Sequence, residues 1–369
     1  AFFAFAQNLA GECGLNRLQL FLGGDHLGPL TFRHLPEKAA MAEAETLIRQ
    51  YVAAGFDKIH IDTSMHLADD DPHARLSDEV IACRGAALCE AAEESYRELL
   101  SRCPDAPKPV YIVGSEVPTP GGALEEEDGI HITLKKDAQA TLDRFRGAFE
   151  SRRLHDAWER VIALVVQPGV EFGDEQVIEY DHDKAMSLLT VLDDHPRLVF
   201  EAHSTDYQSK SNLKRLVADG FRILKVGPAL TFALREALFA LDQIDGELAG
   251  VCGFQRADYR KTLERQMVAD DHFWRNHYHG SEEELALKRA FSYSDRSRYY
   301  LQNPGVRASH AALMEHLSTH RIPLSLLSQY LPAEYEEVRE GILPNEPLEL
   351  AKRHVKRVLC CYSEAVYGR

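Results

Sequence analysis

The chain has 369 residues, 45% of them hydrophobic and 27% charged, with 42 Lys+Arg against 58 Asp+Glu and a net charge of −16 with histidines neutral. A chain of this length buries a sizeable core without staples. Its acidic balance excludes sequence-independent binding to a nucleic-acid backbone, and no apolar run approaches the ~20 residues of a membrane span.

Seven cysteines, an odd number without C-x-x-C spacing, argue against a disulfide framework and against a zinc ribbon. No signal peptide is visible, so a reducing cytoplasm is the expected location. The chain opens at Ala1-Phe-Phe-Ala-Phe, already inside a helix-like pattern.

Short apolar runs then alternate with amphipathic stretches. The first strand is expected at Leu18–Leu22, ending in Gly23-Gly24-Asp25-His26. A helix follows over 37–54, with Met41, Ala44, Leu47, Ile48 and Tyr51 near helical spacing and a stop at Gly55. Strands are expected at 58–62, 110–113, 161–166, 198–200 and 223–226, rich in Val, Ile, Leu or Phe as in sheets buried on both faces. The intervening helices are expected over 78–100, 138–149, 185–191, 210–217 and 230–241.

Such alternation, with right-handed crossovers, means a parallel sheet. Polar and Gly-rich residues collect just after every strand, as in a barrel whose site is built from loops at the strand C-terminal ends. The fold class is therefore α/β, a TIM (β/α)8 barrel. Six strands are visible, so the first two units are expected upstream of Ala1 or disordered. From Gly250 the alternation ends. Residues 1–249 read as the barrel and 250–369 as a C-terminal helical extension.

In Gly23-Gly-Asp-His-Leu-Gly28 the glycines allow close approach of the backbone to a ligand, while Asp25 offers a carboxylate base and His26 an imidazole ligand. His203 also follows a strand, and period-2 alternation puts Glu201 on its face. His26, His203 and Glu116 make an N, N, O ligand set for a divalent ion, zinc above all. Asp62 and Ser64, or Gln167 and Glu171, could bind sugar hydroxyls together with Glu201, or equally serve turn chemistry. Ser204, Thr205, Gly227 and Thr231 surround the last two strand ends, where barrels often bind phosphate at a helix start, and Lys225 could add charge. Glu125–Asp128 reads as a solvated acidic loop.

The junction motifs resemble the GatZ/KbaZ type of D-tagatose-1,6-bisphosphate aldolase subunit over essentially the whole chain. They are LGGDHLGP (Leu22–Pro29), AGFDKIHIDTSM (Ala54–Met65), EVPTPGG (Glu116–Gly122), VVQPGVEF (Val165–Phe172), EAHSTDYQ (Glu201–Gln208), ILKVGPALTFALREALFAL (Ile223–Leu241), SDRSRYY (Ser294–Tyr300) and SQYLP (Ser328–Pro332). The family in turn looks like a distant relative of class II, metal-dependent ketose-bisphosphate aldolases. That likeness implies Asp25 as the proton-transfer residue and His26 and His203 as zinc ligands, with Glu116 matching a glutamate after the intervening strand. Where those enzymes carry a third histidine ligand this chain reads Val166-Gln-Pro-Gly-Val-Glu171, which passes the third place to Glu116 or Gln167.

The resemblance implies a phosphorylated ketohexose substrate, retro-aldol chemistry at C3–C4 and a place in galactitol and tagatose catabolism, while association as a homo-oligomer is left open. Two alternatives stand beside this: a non-catalytic accessory subunit that stabilises a separate catalytic aldolase, and a sugar-phosphate 4-epimerase. A Schiff base at Lys225 is a further mechanism to test. The kinase label that the family has also carried finds no phosphate-binding GxxxxGK[ST] loop here.

Overall fold

The computed structural model describes residues 2–16, 19–114 and 131–368. Helix α1 (Phe2–Glu12) precedes β1 (Gly23–Leu27), a 3₁₀ turn (Pro29–Phe32), α2 (Glu37–Ala53) and β2 (Lys58–Ile61). Next come α3 (Asp78–Arg102), β3 (Val110–Val113), α4 (Lys135–Ser151), α5 (His155–Trp158) and β4 (Val161–Val166). A two-stranded antiparallel ribbon, β5 (Glu171–Phe172) and β6 (Val177–Ile178), leads to α6 (His182–Leu189) and α7 (Val191–Asp194). Strand β7 (Val199–Ala202), α8 (Lys210–Ala218), β8 (Phe221–Leu224) and the long α9 (Pro228–Cys252) complete the alternating part. The remainder is helical: α10 (Tyr259–Ala269), α11 (Glu282–Phe291), a 3₁₀ turn (Arg296–Tyr300), α12 (Pro304–Thr319), α13 (Leu324–Tyr330), α14 (Pro332–Arg339) and α15 (Pro347–Tyr367).

The six main strands pair in parallel in the order β1-β2-β3-β4-β7-β8, a curled sheet that makes a half-barrel of the TIM-like class. Residues that alternate along the strands part to two sides. Ile59, Ile61, Tyr111, Val113, Leu164, Val166, Phe200 and Ala202 pack outward into the core shared with the helices. Ile112, Ala163 and Val165 cluster on the other, concave side with Val199 and Ile223. A further core, from Ala237 of α9 to Ala351 of α15, holds the C-terminal helices together. Helix α15 then returns to the barrel, laying Cys361, Tyr362 and Ala365 on the first core. No helix among the described residues is long and apolar enough to cross a membrane.

The first strand corrects the expectation. It is Gly23–Leu27, not the apolar run Leu18–Leu22, so Gly-Gly-Asp-His is the strand itself rather than the junction after it. Phe21 is 69% exposed, and the pairing with β2 begins only at Gly23, opposite Lys58. Gly28 explains how the ends of β1 and β2 come so close. A Cβ on Gly28 would lie 1.7 Å from the carbonyl oxygen of Asp62. The β5–β6 ribbon was not foreseen, since two residues per strand carry no periodic signal.

Candidate functional site

Three local departures from regular pairing build the site. Between Gly24 and Leu27 strand β1 carries one residue more than β2 does between Ile59 and Ile61. Such a bulge re-aims side chains, and here the consecutive residues Asp25 and His26 both reach the concave side. His26 takes a left-handed backbone, φ 48°, as does Ser204 after β7, φ 53°. Non-glycine residues in that region are strained and tend to gather at functional sites. In β8 the register shifts beyond Phe221, so Ile223 joins the concave cluster and Lys225 follows it inward.

Regular alternation does the rest. With Ile59 and Ile61 outward, Lys58 and His60 of β2 face the concave side; with Phe200 and Ala202 outward, so do Glu201 and His203. The rings of His26, His60 and His203 stand edge to face, with centroids 5.0, 5.0 and 5.4 Å apart. One ligand nitrogen from each lies within 4.8 Å of the other two, and Asp25, His60 and Glu201 form a second such group. His60 is fully buried and its Nε2 has no hydrogen-bond partner.

Two of the imidazoles are oriented by acids. His26 Nδ1 is 2.8 Å from Asp62 Oδ2, and Asp62 accepts in turn from the Ser64 hydroxyl at 2.7 Å and the Ser64 N–H at 3.2 Å. His203 Nε2 is 3.0 Å from Glu201 Oε1. His60 Nδ1 lies 3.3 Å from Asp25, 3.2 Å from the His26 backbone nitrogen and 3.1 Å from Lys225 Nζ. Two ammonium groups close the network. Lys225 Nζ is 2.8 Å from both Asp25 Oδ2 and Glu201 Oε1, and Lys58 Nζ is 3.2 Å from Glu201 Oε2 and 3.5 Å from Asp25 Oδ1.

These contacts set the charge states. Burial alone raises a carboxyl pKa, but the His60 hydrogen bond and the charges of Lys225 and Lys58 outweigh it and hold Asp25 far below the usual carboxylate range. Glu201 is held low in the same way, burial being outweighed by His203, His60 and the two lysines. Burial pushes His203 down to about 4, the Glu201 hydrogen bond offsetting it only in part. Neutral imidazoles and ionised carboxylates are the forms in which these groups bind metal ions.

Of the residues expected from sequence, Asp25, His26, Asp62, Ser64, Glu201 and His203 meet here. Glu116 and the acidic run Glu125–Asp128 lie outside the described residues. The third imidazole comes from His60, which sequence reasoning missed. Gln167 is turned to its own loop, its Oε1 accepting the N–H groups of Gly169 at 2.9 Å and Val170 at 3.1 Å. Glu171 is buried and accepts the Phe172 N–H. Lys225 sits in the centre of the cluster, where the shifted register of β8 turns it inward. Around the last strand ends the polar groups already have partners. Thr205 Oγ1 donates to Lys225 O at 2.6 Å and Thr231 Oγ1 to Pro228 O at 3.1 Å, while the N–H groups of Gly227 and Ala229 at the start of α9 donate to Asp206 Oδ1 at 2.9 and 2.8 Å.

Among solved structures the chain is similar to one described as a probable tagatose 6 phosphate kinase from Sinorhizobium meliloti 1021, with 42% identity and a TM-score of 0.87 over 99% of this chain and 87% of that one. A fructuronate-tagaturonate epimerase, UxaE, from Cohnella laeviribosi matches at 12% identity and a TM-score of 0.40 over 92% of this chain and 68% of that one. Residues 1–367 match the family described as D-tagatose-1,6-bisphosphate aldolase subunit GatZ/KbaZ-like, and the chain belongs to that family.

Proposed function

We propose that this chain is a metal-dependent enzyme of phosphorylated ketohexoses, opening the C3–C4 bond of a tagatose phosphate by retro-aldol chemistry. The observation that carries the reading is the triangle of His26, His60 and His203 with Asp25 beside it. The donor set fits a divalent ion of the zinc type: three imidazoles, one with a buried nitrogen that has no partner, two of them oriented by carboxylates. Three protein ligands with an open fourth place is the pattern of catalytic zinc.

A bound ion would supply Lewis-acid polarisation of the ketose carbonyl. The protein's own residues account for the remaining chemistry. Asp25, ionised and 44% exposed, accepts the proton of the C4 hydroxyl as the C3–C4 bond breaks. The Lys225 ammonium, in contact with Asp25, keeps that carboxylate charged and donates toward the negative charge that develops on the ketose fragment. Asp62 and Ser64 hold His26 in one tautomer. If the aldehyde fragment leaves, the outcome is aldol cleavage; if it turns over and re-adds, the outcome is C4 epimerisation.

The family description as an aldolase subunit supports a second reading, in which the chain stabilises a separate catalytic subunit. One experiment separates the three. Purified protein is assayed for bound metal and incubated with tagatose 6-phosphate and tagatose 1,6-bisphosphate, before and after chelation. Triose products support the aldolase, a C4 epimer the epimerase. No turnover with zinc restored, together with full support of a partner aldolase by His60→Ala, leaves the accessory role.

A further inference from the structure

The motif SDRSRYY lies far from the strands in sequence, yet the fold ties the turn that carries it to the segment just after β7. Tyr207, four residues after His203, donates its hydroxyl to Tyr293 O at 2.6 Å. The Tyr293 N–H donates to Asp174 O at 2.9 Å, in the turn between β5 and β6. Asp295 pairs with the buried Arg235 of α9 at 3.2 Å, accepts from Ser297 at 2.7 Å, and takes a left-handed backbone, φ 40°. Arg235 is itself covered by the ring of Phe232 at 4.2 Å. The turn is therefore held from several directions at once.

It gathers two guanidinium groups, the buried Arg296 and the half-buried Arg298, against the ring of Tyr299, which also stacks on Phe273 at 5.1 Å. Arg296 and Arg298 stand 5.0 and 4.6 Å from the Tyr299 ring centroid. Arg296 Nε donates to Phe273 O, and Arg298 donates to the carbonyls of Ser294 and Asp295 and to the Tyr299 hydroxyl. Among the described residues neither has a carboxylate within ion-pair distance, in a chain with sixteen more acids than bases. The nearby acids are engaged elsewhere: Asp174 with Lys288 and Ser292, Asp295 with Arg235, and Asp206 with the start of α9. The repulsion is felt locally. Burial first, then the charges of Arg296 and Arg298, holds His277 below the usual histidine range. The Arg298 charge also reaches Asp206, three residues after His203.

We infer that Arg296 and Arg298 form the seat for the phosphate group of the substrate, a phosphomonoester dianion held by paired guanidinium donors. Guanidinium forks match phosphate oxygens in geometry and charge. The N–H groups at the start of α9, the usual place for an anion in a barrel, are occupied by Asp206. This inference rests on the ketohexose-phosphate reading for the identity of its ligand, but its test does not need turnover.

The test is calorimetric titration of the full chain with three probes: inorganic phosphate, D-tagatose 6-phosphate and unphosphorylated D-tagatose. In the wild type the phosphate ester binds more tightly than the free sugar. Arg298→Met weakens the ester about 10- to 100-fold and leaves the free sugar unaffected, with the folded state checked by circular dichroism at the titration temperature. Arg298→Lys falls between, since it keeps the charge and loses the fork. Inorganic phosphate binding with the same sensitivity shows that the seat reads the dianion itself. The inference is overturned if Arg298→Met binds the ester as the wild type does, or if the wild type binds ester and free sugar equally. His60→Ala tests the metal reading separately, because it removes a proposed ligand without touching the turn.

Discussion

His354 pins the last helix to the rest of the molecule, and that pin has a definite pH range. Its Nε2 lies 3.4 Å from Glu236 of α9 and its Nδ1 3.1 Å from Glu334 of α14. Both nitrogens face carboxylates, so the doubly protonated ring is favoured, and the pKa is raised to about 9 by Glu236 first and then Glu334, against burial. The gap from the ordinary 6.5 is worth about 3 kcal/mol, and partial exposure of the ring to solvent reduces this to roughly 2 kcal/mol. The pKa is higher in the folded state. The stabilisation is therefore complete below pH 6.5 and is lost as the pH rises through about 9. Guanidinium unfolding of the wild type and His354→Gln at pH 6 and pH 10 measures it. The variant is expected to be less stable by about 2 kcal/mol at pH 6 and by under about 0.5 kcal/mol at pH 10. Arg357, 2.9 Å from Glu334, compensates that acid in both proteins, so the difference isolates the imidazole. An equal difference at the two pH values would refute the reasoning.

Further outcomes follow from the site and the strands. Asp25→Asn is expected to lower turnover by about 10²–10⁴-fold, with metal content unchanged by atomic absorption; retained turnover removes Asp25 as the base. Asp62→Asn should loosen metal binding about 10- to 100-fold in a competition with a chromophoric chelator, because His26 loses the carboxylate that orients it. Gly28→Ala forces the backbone of β1 away from Asp62, a steric clash in the core that is expected to cost more than about 4 kcal/mol, read as loss of soluble protein or a collapsed melting transition. Phe200→Ala, emptying a fully buried ring position, should cost about 3–5 kcal/mol in the same denaturant assay.

The parallel strands with apolar runs were legible in the sequence because they are buried on both faces. Val110–Val113 and Val161–Val166 match the expected strands residue for residue. Strand β1 was not, since Gly-Gly-Asp-His-Leu has no apolar run and its identity as a strand comes from pairing with β2. The same physics hid His60. It sits in Lys58-Ile-His-Ile-Asp62, which reads as an apolar run with charged ends. The polar residues at 58, 60 and 62 share one side of a strand whose other side is Ile59 and Ile61, and that alternation was the available signal. The contacts of Lys225 with Asp25 and Glu201 were not legible, because a register shift in β8 cannot be read from composition. The seat at Arg296 and Arg298 depends on a chain segment some ninety residues beyond His203, so only the folded molecule ties it to the segment just after β7.

The bulge in β1 makes the site depend on residue count as well as residue type. With one residue fewer between Gly24 and Leu27, the strand would pair regularly with β2, and Asp25 and His26 could no longer both point into the concavity. A single-codon deletion there would leave the apolar pattern of the sheet readable and the neighbouring histidines in place, yet separate the base from the imidazole beside it. Alignments of related chains that slide a gap across Gly23-Gly-Asp-His without cost would therefore equate working sites with ones whose adjacent acid faces the helices.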